Sequence, residues 1–107
     1  MSEIADLLRM QTQCDKEFVV TPVTVTDVAA PFTSRLSGDY VRKAFFAYNN
    51  SDAASGELYY GSGEVTEHTG RPIPLGADVE FFVSPALNVY FVAASGEIGD
   101  LRVFEGA

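Results

Sequence analysis

From Tyr40 to Phe104 the chain is a succession of short aromatic and β-branched runs, each closed by a cluster of Gly, Asn, Ser or Pro. Tyr40–Tyr48 stops at Asn49-Asn50-Ser51-Asp52, and Glu57–Tyr60 stops at Gly61-Ser62-Gly63. Val79–Val83 stops at Ser84-Pro85, Val89–Ala94 stops at Ser95-Gly96, and Leu101–Phe104 is the last run. Such runs are too short for most helices, and turn residues about every eight to twelve positions predict an all-β fold, an antiparallel β-sandwich or a jelly-roll-like barrel. A chain of 107 residues has room for one domain with a single modest core.

Side-chain alternation sharpens the prediction. In the Tyr40–Tyr48 run, Val41, Phe45 and Ala47 share one face, while Ala44, Phe46 and Tyr48 share the other. Apolar residues on both faces predict a strand covered on both sides. Val79, Phe81 and Val83 point one way with Glu80 opposite and Phe82 left over; Val89 and Phe91 leave Tyr90 and Val92 on a second face. One core cannot easily hold Phe46, Tyr48, Phe82 and Tyr90 as well, so the surplus points to an oligomeric interface. Glu17–Val28 reads as extended, with Pro22 arguing for an edge strand or for two short strands meeting there. Ala29–Asp39 reads as a connection, and Glu64–Gly76 as a turn-rich stretch whose Pro72 and Pro74 suit a sheet edge.

Residues 1–16 differ from the rest and are expected to form an N-terminal helical arm ahead of a β-sandwich domain at 17–107. Ser2 suits a helix N-cap, Glu3 and Asp6 suit the positive end of the helix dipole, and no Gly or Pro interrupts Ser2–Gln13. Ile4, Leu7 and Leu8 make a narrow apolar stripe, and so short a helix must dock on something. Its own sandwich and a neighbouring subunit are both open as the docking surface. The opening residues carry acids and no continuous apolar core, so a secretory signal is not expected and folding in the cytosol is the default. The single cysteine, Cys14, agrees with that expectation.

The net charge is −8, with nine acids from Asp52 onward against Arg71 and Arg102. Arg35, Arg42 and Lys43 form the one basic concentration. So acidic a surface repels phosphate backbones, and no nucleic-acid partner is expected. The longest apolar runs are far too short for a bilayer-crossing helix, and no membrane partner is expected.

No catalytic, cofactor or metal site is expected either. Glu64, Glu67 and His68 have metal-ligand chemistry, but they hold the only histidine and sit on an expected loop, whereas zinc or iron wants at least three protein ligands. Cys14 has no base motif or CxxC around it. Gly56, Gly61-Ser62-Gly63 and Gly96 follow strands without opening a helix, so they are turn glycines rather than a phosphate cradle. The pairs Asp78/Glu80 and Glu97/Asp100 lack the ligand density of a calcium loop. The aromatics fall inside strands, where packing explains them, and there is no tryptophan to build a sugar-binding platform.

The order of segments from Arg42 to Glu105 is similar to that of a known group. Arg42-Lys43 opens an aromatic strand that ends in Asn49-Asn50-Ser51, followed by Tyr59-Tyr60-Gly61 and Gly70-Arg71-Pro72-Ile73-Pro74-Leu75-Gly76. Val89–Gly96 and Leu101–Glu105 close the pattern. This resembles the small β-sandwich accessory proteins of tailed-bacteriophage virions, the capsid decoration (cement) and head-fibre base proteins. The resemblance covers the C-terminal three-fifths or so of the chain and rests on strand order and turn segments. It implies a structural virion protein, made in the host cytoplasm and residing on the capsid surface, where a homo-oligomer, a trimer, binds the major capsid protein. Ile4, Leu7, Leu8, Arg35, Tyr40, Arg42, Lys43, Phe46, Tyr48 and Tyr90 are the expected interface residues. Two alternatives remain: a phage tail, baseplate or fibre-attachment module, and a small ligand-binding or enzymatic β-barrel.

Overall fold

The computed structural model describes residues 14–38, 40–52 and 56–107. Eight strands follow in order: β1 Phe18–Val25, β2 Ala30–Pro31, β3 Ala44–Asn49, β4 Leu58–Gly61, β5 Arg71–Ile73, β6 Asp78–Glu80, β7 Tyr90–Ala93 and β8 Gly99–Gly106. They form two four-stranded sheets, β1-β8-β3-β6 and β2-β7-β4-β5, in which every paired neighbour is antiparallel. The pairs β1–β8, β2–β7, β3–β6 and β4–β5 are those of one long hairpin, tipped at the β4–β5 connection and rolled up on itself. That winding is the eight-stranded jelly roll, a sandwich of the expected kind.

The core between the sheets is aromatic at one end and aliphatic at the other. Phe32, Phe45, Phe81 and Phe91 form a chain of ring contacts, with Phe45 and Phe81 centroids 4.6 Å apart and Tyr60 set edge-on to Phe81 at 4.9 Å. Leu58, Ile73, Leu101 and Val103 are fully buried beside them. Buried Asn49 is satisfied locally, its amide donating to the Ile73 carbonyl at 2.7 Å.

β1 is one continuous strand, and Pro22 marks it as an edge. Glu17 and Ala107 exchange both backbone hydrogen bonds. Alternation from that pair puts Pro22, opposite Arg102, in a non-bonded position, so its missing N–H faces the open side of the sheet. The expected runs at 40–48 and 79–83 shorten to Ala44–Asn49 and Asp78–Glu80. Val83, expected to face inward, is exposed because the chain leaves the ladder after Glu80. The connection at 29–39 contains the two-residue β2, and the turn-rich stretch at 64–76 contains the edge strand β5 with Pro72. The expected helix with Ile4, Leu7 and Leu8 lies outside the described residues; the ladder takes up the chain at Lys16 and Glu17, whose N–H groups both donate to the Ala107 carbonyl.

Candidate docking surface

Two long connections meet at one end of the sandwich. Residues 32–43 join β2 to β3, and residues 81–89 join β6 to β7. The Phe32 N–H donates to the Val89 carbonyl at 3.0 Å, which carries the β2–β7 ladder one step into both loops, and the Phe81 N–H donates to the Phe45 carbonyl at 2.9 Å, which carries the β3–β6 ladder one step into the second loop. A turn at Ser84 supports the second loop, with its carbonyl accepting from Leu87 and its hydroxyl from the Ala86 N–H.

Carboxylates hold the first loop in place. Glu105, fully buried at the end of β8, accepts the Arg35 N–H at 2.9 Å on Oε1 and Arg42 Nη1 at 3.3 Å on Oε2. The Arg42 guanidinium lies 3.9 Å from the centroid of the Phe45 ring, and its side chain is 9% exposed. Charges buried this deeply need such pairing, because neither group has enough water to stabilise it alone. Further out, the Ser37 N–H and hydroxyl donate to the Glu17 carboxylate at 2.6 and 2.7 Å. Those two bonds, the hydroxyl's first, hold the Glu17 carboxyl below its usual pKa.

Between these anchors the loops present apolar side chains to solvent. Phe82 is 85% exposed, Val41 65%, Leu87 59%, Tyr40 44% and Val83 39%. Leu87 lines one, and Tyr40 and Val41 the other, of two adjoining hollows of about 300 and 390 Å³ that share Ser34, Arg42 and Pro85. Lone exposed apolar residues are ordinary on a soluble protein, but five gathered on two braced loops form the kind of patch that marks a contact site.

The residues expected at an interface are divided among several places. Tyr40 belongs to this loop end, with Lys16 Nζ 5.8 Å from its ring centroid, and Arg35 borders it. Arg42 is instead committed to Glu105 and the Phe45 face. Lys43 lies 3.6 Å from Asp15. Phe46 and Tyr48 point from β3 to the outer face of β1-β8-β3-β6, where Phe46 stacks on Phe104 with centroids 4.5 Å apart. Tyr90 faces out from the opposite sheet, where its ring comes 3.3 Å from where a Cβ on Gly63 would stand, so the β4–β5 connection lies against it. That connection also buries Val65 against the small residues Gly61 and Gly70, and Val92 on the same outer face is 3% exposed. The second-face surplus on β7 is thus covered at least in part by the chain's own loop.

Val41, Val83 and Leu87 carry no periodic signal of exposure, since each sits in or beside an apolar run that reads as strand. Phe82 does carry one, being out of phase with Phe81 and Val83. On the outer face of β1, Phe18 and Val20 are half exposed, and their spacing of two opposite Val19 is a signal readable in the sequence. Among the described residues, no group of three or more His, Cys, Asp or Glu is placed to hold a metal ion.

No family model matches the chain, and no curated protein matches it. Among solved structures, it is similar to a chain of Bacillus endospore appendages, described as "a novel family of disulfide-linked pili". The likeness covers 84% of this chain and 85% of that one, at 20% identity and a TM-score of 0.39.

Proposed function

We propose that the chain is a structural virion protein that seats its apolar loop end on the outer surface of a tailed-phage head and cements it. The observation that carries the docking role is the exposed group Tyr40, Val41, Phe82, Val83 and Leu87 on two loops, the first braced by Glu105 and Glu17 and the second by the turn at Ser84. The choice of partner, the major capsid protein, follows from the resemblance of residues 42–105 to decoration proteins. The jelly roll is a fold that capsid proteins use, although the same fold serves lectins and enzymes and so supports this reading only by analogy.

Charge favours the outer surface. Packaged DNA lines the inside of a head, where a domain of net charge −8 is repelled; the outside imposes no such cost. A trimer bridging neighbouring capsomers buries area at the joints that carry the internal pressure. In this reading the apolar loop end supplies most of the binding free energy and Arg35 a charged rim contact. The test is to prepare particles without the protein, then heat them or dilute them out of salt and measure DNA release. Earlier release than from complete particles is the expected result. Release at the same point removes the cementing role, and finding the protein on tails moves the assignment to a tail or fibre-attachment module.

A further inference from the structure

We infer that β1 pairs antiparallel with β1 of a second copy of this chain, about a two-fold axis at Thr21, so that two β1-β8-β3-β6 sheets join edge to edge. β1 is an outermost strand of its sheet, and among the described residues no group hydrogen-bonds to the backbone on its open side. The other outermost strands are blunted: β2, β5 and β6 are two or three residues long, β2 and β5 contain Pro31 and Pro72, and β6 carries Asp78 and Glu80. β1 runs for eight residues without a charge. Phe18 and Val20 stand 51% and 49% exposed on its outer face, with the Phe104 ring 6.2 Å from that of Phe18. An unpaired apolar edge of this length is a template for another strand.

The ladder fixes the register. Because Glu17 and Ala107 exchange both hydrogen bonds, Phe18, Val20, Pro22 and Thr24 turn their backbone groups to the open side, Pro22 with a carbonyl only. With the axis at Thr21, Phe18 stands opposite Thr24 of the second copy and Val20 opposite Pro22. Every outward N–H of β1 then meets a carbonyl of the other β1. Moving the axis to Val20 sets Thr24 against Lys16, whose N–H already donates to Ala107. Moving it to Pro22 sets Phe18 against Thr26, whose carbonyl already accepts the Ala93 N–H.

Thr21 says that the strand is a second copy. Its side chain is on the inner face, 7% exposed, and among the described residues its hydroxyl has no hydrogen-bond partner. At the axis Thr21 faces Thr21 of the second copy as a non-hydrogen-bonded pair, with Cα atoms about 4.5 Å apart. Two threonines so placed bond hydroxyl to hydroxyl across the strands. A second copy brings that hydroxyl by symmetry, which an unrelated strand does not. On the outer face, Val20 of each copy packs beside Pro22 of the other, which removes apolar surface from water.

The pairing is two-fold and rests on the strand edge, not on the capsid reading, whose trimer is a separate contact. The test is the mass of the full chain in solution, by sedimentation at high micromolar concentration, together with cross-linking in a Cys14→Ser background. Twice the chain mass of 11.6 kDa is expected for the wild type, and the single-chain mass for Val20→Lys, which sets a charge on the edge without touching the β1–β8 ladder. Mild oxidation should link the Thr21→Cys chain into disulfide dimers, because only residues at the axis meet their own twins at disulfide distance. Val23→Cys, opposite Val19 of the second copy and roughly 13 Å from its twin along the strand, should stay unlinked. A monomeric wild type overturns the inference and leaves the edge to a strand of another protein. A trimer speaks for the capsid reading and against this one. A dimer that Val20→Lys does not weaken, or in which Thr21→Cys links no better than Val23→Cys, also overturns it.

Discussion

Arg42 donates to Glu105 at 3.3 Å with its guanidinium carbon 3.9 Å from the centroid of the Phe45 ring, and this pair of charges is nearly closed to water. Glu105 also holds the Arg35 N–H, so one carboxylate fixes both ends of the segment that carries Tyr40 and Val41. The shape of the loop that carries Tyr40 and Val41 therefore depends on a fully buried residue.

Removing one member of the pair should cost far more than removing both. Glu105→Ala leaves the Arg42 charge buried without its partner and is expected to lose about 3–5 kcal/mol. The double variant Arg42→Met with Glu105→Leu should recover much of that loss, because apolar replacements remove the desolvation penalty along with the attraction. Urea denaturation of the two singles and the double checks this, and strict additivity would show that the charges do not interact.

Gly99 and Gly96 should respond to alanine for different reasons. A Cβ on Gly99 would collide with the fully buried Leu58 and approach the Ser51 hydroxyl to 2.8 Å. Overpacking of that kind costs about 1–3 kcal/mol. Gly96 has open space around it but a φ of +79°, where an L-residue pays about 1–2 kcal/mol in backbone strain. Replacing Leu58 with Val alongside Gly99→Ala should rescue part of the first loss and none of the second, as read by the denaturation midpoint.

Much of this architecture was legible in the sequence. The apolar alternation of 44–48 identified β3 as a strand, and Pro22 and Pro72 identified edges, because each of these signals acts over a few residues. The winding was not legible. β1 pairs with β8 across most of the chain length, and no local pattern announces such a partner. β2 is two residues long, below any period. The basic concentration Arg35, Arg42 and Lys43 read as a surface patch, but the partner that buries Arg42 lies 63 residues away. Tyr90 likewise read as spare because the loop lying against it belongs to a different hairpin.

The pH dependence has a definite sign at Asp100. Arg102 first, and then the Asn50 amide, donate to its carboxylate and hold its pKa below the ordinary aspartate range. A lowered folded pKa adds stability that is complete above the unfolded value of about 3.9 and is lost as pH falls through the folded value. The side chain is 40% exposed, so the contribution is that of a screened surface pair, about 0–1 kcal/mol. Asp100→Asn should flatten the acid limb of a stability–pH profile below about pH 4 and change little elsewhere. An unchanged acid limb would show that these bonds do not favour the charged form.

Phe46 and Phe104 should behave as a coupled pair. Phe46 and Phe104 are stacked at an interplanar angle of 9°. A double-mutant cycle with Phe46→Ala and Phe104→Ala should give a coupling of about 0.5–1.5 kcal/mol beyond the separate losses. Zero coupling would mean that the rings are neighbours without mutual stabilisation.

The seating of the loop end on phage heads can be measured by co-sedimentation of purified protein with heads that lack it. Phe82 is 85% exposed, so Phe82→Asp should leave the fold and melting temperature intact. Ile98→Asp, at the opposite end of the sandwich and 62% exposed, serves as the control. The account predicts that Phe82→Asp and Leu87→Asp each weaken binding by about tenfold or more, as expected for central apolar contacts, while Ile98→Asp binds as the wild type does. Equal binding by all three variants, or no binding of the wild-type protein to heads, would contradict it.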